Sequence, residues 1–311
     1  MPGVPIFFVV SGFLISLSWE RNSLLASYAR NRALRIYPGL WTCLALSIAV
    51  AAVVGHIDFM RLAALPWLAA QITFGQFYNP DFLRGYGAGV LNGSLWTIPV
   101  ELQFYAFVPL MYRALGLRER RGTRELLVLS ALSIGAQYAF SALGGPHADA
   151  LAVKLFGVTL APYLWMFLLG VLLQRNFDRL GPWLEGHALW WVAGFAALSF
   201  AEDWLGVTPG TNNPNPLPMI VLSCATISCA YSAPSWSHKL LRSNDVSYGL
   251  YIYHMVVVNA FLASDAPGTV GSLAAVLGLS VAAAFASWLL VERPALRLKR
   301  SALHAVAGAR P

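Results

Sequence analysis

Three places in this 311-residue sequence put ionisable side chains where a reaction could use them. The first is Glu101, in Ser94-Leu95-Trp96-Thr97-Ile98-Pro99-Val100-Glu101-Leu102-Gln103-Phe104-Tyr105. A carboxylate inside an apolar run is costly unless it has a task or a partner. It can accept a proton or orient the group that does; the structural alternative is a carboxylate paired to an arginine or a tyrosine hydroxyl. Pro99 has no N–H, so it is expected to free the carbonyl of Leu95 and bend the run. With Gln103 and Tyr105 nearby, the stretch is expected to face a cavity or another helix, not lipid. The second place is His254, at the end of Ser247-Tyr248-Gly249-Leu250-Tyr251-Ile252-Tyr253-His254. It suits proton transfer, against the alternative of a satisfied core histidine. The third is Arg32 with Arg35, three apart on one helix face, in Arg30-Asn31-Arg32-Ala33-Leu34-Arg35-Ile36-Tyr37-Pro38. Paired guanidinium groups grip phosphate bidentately. On composition alone an ordinary topology-setting basic cluster is the stronger reading of that pair.

These residues sit among long apolar stretches. Hydrophobic residues make up 58% of the chain and charged residues 11%, with a mean hydropathy of +0.60; soluble domains carry about 25% charged residues. Apolar runs at 4–19, 40–56, 94–112, 125–145, 158–174, 188–206, 217–234, 246–263 and 270–291 approach the roughly 20 residues that cross a bilayer as helix. They lack the strict alternation of membrane strands. The expected fold is an all-α polytopic membrane bundle of about nine transmembrane helices. One domain spans 1–300, followed by a cytoplasmic tail over 301–311.

A further run, 62–78, contains Pro66, Gln71 and Gln76. Basic residues decide its placement. With nine spans, 18 of the 21 lysines and arginines fall on one side, the pattern of a cytoplasmic face. If 62–78 crossed as well, the cluster Arg21 to Arg35 would face away from the others. The segment is therefore expected to be re-entrant or interfacial, with the C-terminus cytoplasmic and the N-terminus outside. On these boundaries Glu101 lies roughly 10 Å from the outer edge and His254 roughly 12 Å from the cytoplasmic edge. One cavity can take both if their helices are neighbours.

The net charge of +7 belongs to these loops and does not imply nucleic acid. The cluster Arg118 to Arg124, interleaved with Glu119 and Glu125, reads as a solvated loop. Cys43, Cys224 and Cys229 read as small core residues, and no Cys/His spacing suggests a metal site. Ser11-Gly12 is no nucleophile elbow; small residues there suit close helix packing. Trp96, Trp190, Trp191 and Trp288 lie near span ends, where aromatic belts form.

Five segments in order resemble acyltransferase family 3, the membrane O-acyltransferases that include O-antigen acetylases. They are Phe7-Phe8-Val9-Val10-Ser11-Gly12-Phe13-Leu14-Ile15, Arg32 to Pro38, Ser94 to Tyr105, Ser247 to His254, and Glu292-Arg293-Pro294. The resemblance implies an acyl-CoA donor, usually acetyl-CoA, and a saccharide or glycolipid hydroxyl of the cell envelope as acceptor. It also implies residence in the bacterial inner membrane. On that reading Arg32 and Arg35 correspond to the family's arginine pair at the CoA phosphates. Glu101 matches the carboxylate of the Trp-containing motif, and His254 matches a late Tyr-x-Tyr-His position. The family's first helix carries an Arg-x10-His motif whose histidine is the expected base. No segment here supplies it, so a misassigned start, a truncated gene or a substitute base is expected. The rival reading from another class is a non-catalytic multi-pass transporter or scaffold for a glycolipid.

Overall fold

The computed structural model describes residues 3–144, 150–207, 212, 214–233, 239 and 244–298, and among them every regular element is helical. Each of the nine apolar runs forms helix. They correspond to α1 (Gly3–Arg21), α2 (Leu25–Val54), α4 (Thr97–Ala114), α5 (Thr123–Gly144), α7 (Leu164–Arg175), α9 (Ala188–Trp204), α10 (Pro216–Ser232), α11 (Ser247–Ala263) and α12 (Val270–Ser287). Shorter helices are α3 (Ala64–Ile72), α6 (Leu151–Phe156) and α8 (Phe177–Leu184). Four helical stretches are long and apolar enough to cross a membrane: α1, α2, most of α5, and α12 with its continuation to Leu298. The run at 158–174 keeps only 12 residues of α-helix, about 18 Å, because Pro162 opens it as a 3-10 turn. The nine residues of α3 span about 14 Å, less than the hydrocarbon thickness of a bilayer. The tail 301–311 lies outside the described residues.

The chain divides into two compact units. One comprises Met1–Leu25 with Val100–Arg242, the other Ala26–Pro99 with Ser243–Pro311. In the first unit α1 packs chiefly on α7. A Cβ on Gly12 would overlap the carbonyl oxygen of Phe167, and a Cβ on Gly170 that of Val9. The two backbones therefore touch, as expected of small residues at a membrane helix crossing. Phe104 stacks on Phe167 at 4.2 Å and meets Phe8 edge-on, closing the packed centre. By contrast α9 has no buried residue, and Leu189 and Trp190 are open. Such apolar faces need lipid as their solvent.

In the second unit α2 and α11 present matching stripes. Ile36, Gly39, Leu40, Cys43, Leu44 and Ser47 are buried on α2, and Tyr248, Gly249, Ile252, Tyr253, Val256 and Asn259 on α11. Both follow the three-and-four spacing of one helix face. Tyr37 Oη and Trp41 Nε1 of α2 donate to the carbonyls of Thr73 and Ile72, satisfying the end of α3. The long 73–96 segment is held by two asparagines. Asn92 Nδ2 donates to Ile252 O at 2.8 Å. Asn259 takes the Ala88 N–H at 2.9 Å and donates to Val90 O and Leu91 O at 2.8 and 3.0 Å. Irregular backbone is thus satisfied without strand partners.

The core reading of the cysteines holds for Cys43, whereas Cys229 is exposed in the last turn of α10. Trp190 is exposed as a belt residue would be, but Trp288 is buried, its indole N–H on Asn244 Oδ1 at 2.9 Å.

Candidate functional site

Arg35 is the centre of a polar cluster in the second unit. Its Nη2 donates to Asp245 Oδ2 at 2.7 Å, and its Nη1 lies 3.8 Å from Glu292 Oε2. The guanidinium sits 5.6 Å from the Tyr248 ring centre, within cation–π range. Tyr248 in turn donates its hydroxyl to Ile36 O at 2.9 Å. Glu292 is buried, and its Oε1 accepts from Ser287 Oγ at 2.9 Å. Two glycines make room: a Cβ on Gly39 would stand 2.8 Å from the Tyr248 ring, and one on Gly249 would stand 3.1 Å from Ala284 Cα. Residues from three of the five sequence motifs therefore form one interlocked cluster.

The electrostatic logic is asymmetric. A buried carboxylate is tolerated when a cation and hydrogen bonds accompany it. Arg35, with a side chain 22% exposed, supplies the cation to Glu292 while keeping an open edge. Arg32 lies one turn earlier on α2, half-buried, its guanidinium 5.9 Å from the Tyr28 ring centre. Both aromatic rings restrict where these guanidinium groups point.

His254 is half-buried on α11. Its Nδ1 is 3.2 Å from Leu250 O, one turn back on the same helix, and its ring lies 6.2 Å from that of Tyr251. Tyr251 reaches the entry to α4, where its hydroxyl pairs with Thr97 Oγ1 at 2.7 Å and donates to Ser94 O at 3.2 Å.

Glu101 belongs to the first unit and is 7% exposed. The hydroxyl of Tyr105, one turn on, donates to its Oε1 at 2.5 Å. The tyrosine-paired carboxylate weighed from the sequence is therefore present. Gln103 points to a different partner: it donates to Val158 O at 3.1 Å and accepts from the Leu160 N–H at 2.9 Å. The expected bend at Pro99 is not found. α4 starts at Thr97, so Pro99 occupies the first turn, where N–H groups have no intrahelical acceptor. The Leu95 carbonyl instead accepts the N–H of Ile98 at 3.0 Å. Glu101 and the Arg35 cluster are each built within their own unit.

A second charge centre, partly open to solvent, was missed in the sequence. Arg175, at the end of α7, pairs with Glu20 at the end of α1. It also donates to the carbonyls of Leu117, Arg120 and Arg121. Tyr112 and Gln174 add hydrogen bonds to Glu20 at 2.8 and 3.0 Å. The 115–122 loop is therefore a bound connection, not only a solvated basic stretch. On its exposed side Arg121 grips Asp178 bidentately, which holds that carboxyl below its ordinary value. The only sequence signal was the placement of Glu20 and Arg175 at apolar run ends.

Among the described residues no three His, Cys, Asp or Glu side chains converge as a metal site.

The acyltransferase domain model matches residues 1–292. Nodulation protein 10 of Rhizobium leguminosarum bv. viciae is 33% identical, over 96% of this chain and 83% of that protein. The O-acetyl transferase of Shigella phage Sf6 is 25% identical, over 93% of this chain and 83% of its own length. Acyltransferase MdmB of Streptomyces mycarofaciens is 23% identical, over 95% and 80%. No solved structure gives a match.

Proposed function

This chain belongs to acyltransferase family 3, and from that premise we propose that it moves an acyl group, acetyl first, from acyl-CoA to a hydroxyl of a cell-envelope saccharide or glycolipid. The family assignment makes it an integral membrane acyltransferase and displaces the transporter reading. The donor, the acceptor, the inner membrane and the cytoplasmic C-terminus are part of the proposal.

The observation that carries the donor side is the preset Arg35 guanidinium, fixed by Asp245, Glu292 and Tyr248, with Arg32 one turn away. A fork held before its ligand arrives loses less entropy on binding phosphate. Arg32, its guanidinium 5.9 Å from the Tyr28 ring centre, is the second phosphate contact, and Arg35 is the anchored one. In the transfer, the acceptor oxygen attacks the thioester carbonyl. A base removes the hydroxyl proton, the carbon–sulfur bond breaks, and the CoA sulfur leaves to be protonated. Glu101, with Tyr105 fixing one oxygen, is assigned to accept or direct that proton. His254, its Nδ1 turned to its own helix, is the second candidate.

The test is thiol release from acetyl-CoA by the membrane-embedded protein with and without a saccharide acceptor. Acceptor-dependent release in the wild type, abolished in Glu101→Gln, is expected. Wild-type rates in Glu101→Gln would remove Glu101 from the reaction, and release independent of any saccharide would remove the acceptor class.

A further inference from the structure

Between α3 and the entry to α4 the second unit holds a half-open cavity of about 120 Å³. It is lined by residues that include the aromatic Trp67, Tyr78 and Trp96 and the amide-bearing Gln71, Gln76 and Asn79. Each amide donates to a backbone carbonyl. Gln71 Nε2 reaches Tyr78 O at 3.2 Å, Gln76 Nε2 reaches Gln71 O at 2.7 Å and Thr73 O at 3.2 Å, and Asn79 Nδ2 reaches Gly89 O at 2.8 Å. Those bonds fix which end of each amide is nitrogen. They leave Gln71 Oε1, Gln76 Oε1 and Asn79 Oδ1 without a donor among the described residues. Gln71 and Gln76 are 5% and 6% exposed, and Gln76 Oε1 is a buried atom with no hydrogen-bond partner.

Buried carbonyl oxygens without donors are rare. Gln76 Oε1 is one such atom, and the open acceptors Gln71 Oε1 and Asn79 Oδ1 belong to residues on the same small cavity, so the site calls for a ligand that brings several donors. No charged side chain lines the wall, so a cationic donor would lack a counter-charge. Neutral hydroxyls meet the need, and the rings offer a face for the C–H side of the molecule that bears them. We propose that this cavity is a saccharide subsite. One edge of a pyranose donates hydroxyl hydrogens to Gln71, Gln76 and Asn79, with its C–H face against an indole. The volume equals about four waters, enough for that edge while the rest of the ring stays in the mouth. Calling the bound sugar the acyl acceptor rests on the transfer reading above. The wall ends at Trp96, at the entry to the helix that carries Glu101.

The test is saturation-transfer NMR on the purified full chain, in a detergent without a sugar headgroup. The probes are the methyl glycosides of glucose, galactose, mannose and rhamnose. Gln71→Met, which keeps volume but removes the carbonyl, and Trp96→Ala are the variants, each checked for an unchanged melting temperature. At least one glycoside should receive saturation in the wild type and lose it at least fivefold in both variants. No transfer to any of the four, or equal transfer in wild type and variants, overturns the subsite and leaves ordered water as the occupant. Thiol release from acetyl-CoA separates the two proposals. Glycoside-stimulated release with an unchanged acceptor KM in Gln71→Met sinks the subsite and spares the transferase. Variant-sensitive binding without release from any form sinks the transfer reading and spares the sugar cavity.

Discussion

Replacing Arg35 by methionine removes the cation that accompanies a nearly inaccessible carboxylate while keeping most of the side-chain volume. Glu292 Oε2 lies 3.8 Å from the guanidinium. At an effective dielectric near 20 that separation is worth about 4 kcal/mol. Arg35 is 22% exposed and shared with the half-exposed Asp245, so solvent screening reduces the expected cost to about 2 kcal/mol. In a chain of this size that lowers the melting temperature by about 5 °C. Glu292→Gln in the same background removes the stranded charge, and its amide oxygen still accepts from Ser287. The double variant should regain most of the lost stability. It should not regain the donor: losing a charge-assisted phosphate contact costs about 1.5–3 kcal/mol, an increase in the acetyl-CoA KM of roughly tenfold to a hundredfold. Thermal unfolding in detergent measures the first quantity, and thiol release at varied acetyl-CoA the second. Strictly additive melting shifts would refute the ion-pair reasoning. A wild-type donor KM in the double variant would show that Arg35 serves the fold alone.

Three other variants follow from the packing. Gly12→Val should prevent α1 from reaching α7, since its Cβ already overlaps the Phe167 carbonyl, and yield in a stable detergent-solubilised form should collapse; wild-type yield would refute the backbone contact. Asn259→Leu leaves the Ala88 N–H and the Val90 and Leu91 carbonyls without their partner, at about 1–3 kcal/mol for each buried group. Limited proteolysis should then cut within 84–92 first, and unchanged protection would show that other contacts hold the segment. Tyr105→Phe deletes the hydrogen bond to Glu101 and should lower turnover about tenfold at unchanged acetyl-CoA KM, the signature of a positioning residue; a donor KM effect instead would place Tyr105 in substrate binding.

Greasy periodicity made the helices legible because lipid and core both select apolar residues over the same lengths. It could not tell how many helices reach across. The run at 158–174 reads as a full span in composition, yet Pro162 starts its α-helix at Leu164. Pro99 was misjudged for the related reason that proline's effect depends on its distance from a helix start, and that start is set by Thr97 and Tyr251 meeting across 154 residues. Of the site, the sequence pointed to Arg35, Glu101 and Tyr105. The partners Asp245 and Asn259 carried no local signal, since their roles arise from contacts at separations above 160 residues. Gln71 and Gln76 were noticed only as polar breaks in an apolar run. Their meaning depends on which of their atoms other groups already occupy.

Glu292 shows how a local irregularity is converted into long-range placement. α12 does not continue as regular α-helix. Trp288–Glu292 widens into a π turn, and the N–H of Arg293 reaches back five residues to Trp288 O. The cause stands in the sequence at Pro294. A proline there cannot donate to the carbonyl of Leu290 and would press its ring against it in α geometry. A wider turn just before the proline relieves that conflict. The same widening sets Ser287 and Glu292, five apart, within one hydrogen bond of each other. It turns the carboxylate inward toward Arg35, not outward to the lipid-facing side where Leu290 stands 77% exposed. Glu292-Arg293-Pro294 therefore acts as a unit: the proline shapes the turn, the turn aims the carboxylate, and the carboxylate holds the guanidinium that we assign to the donor.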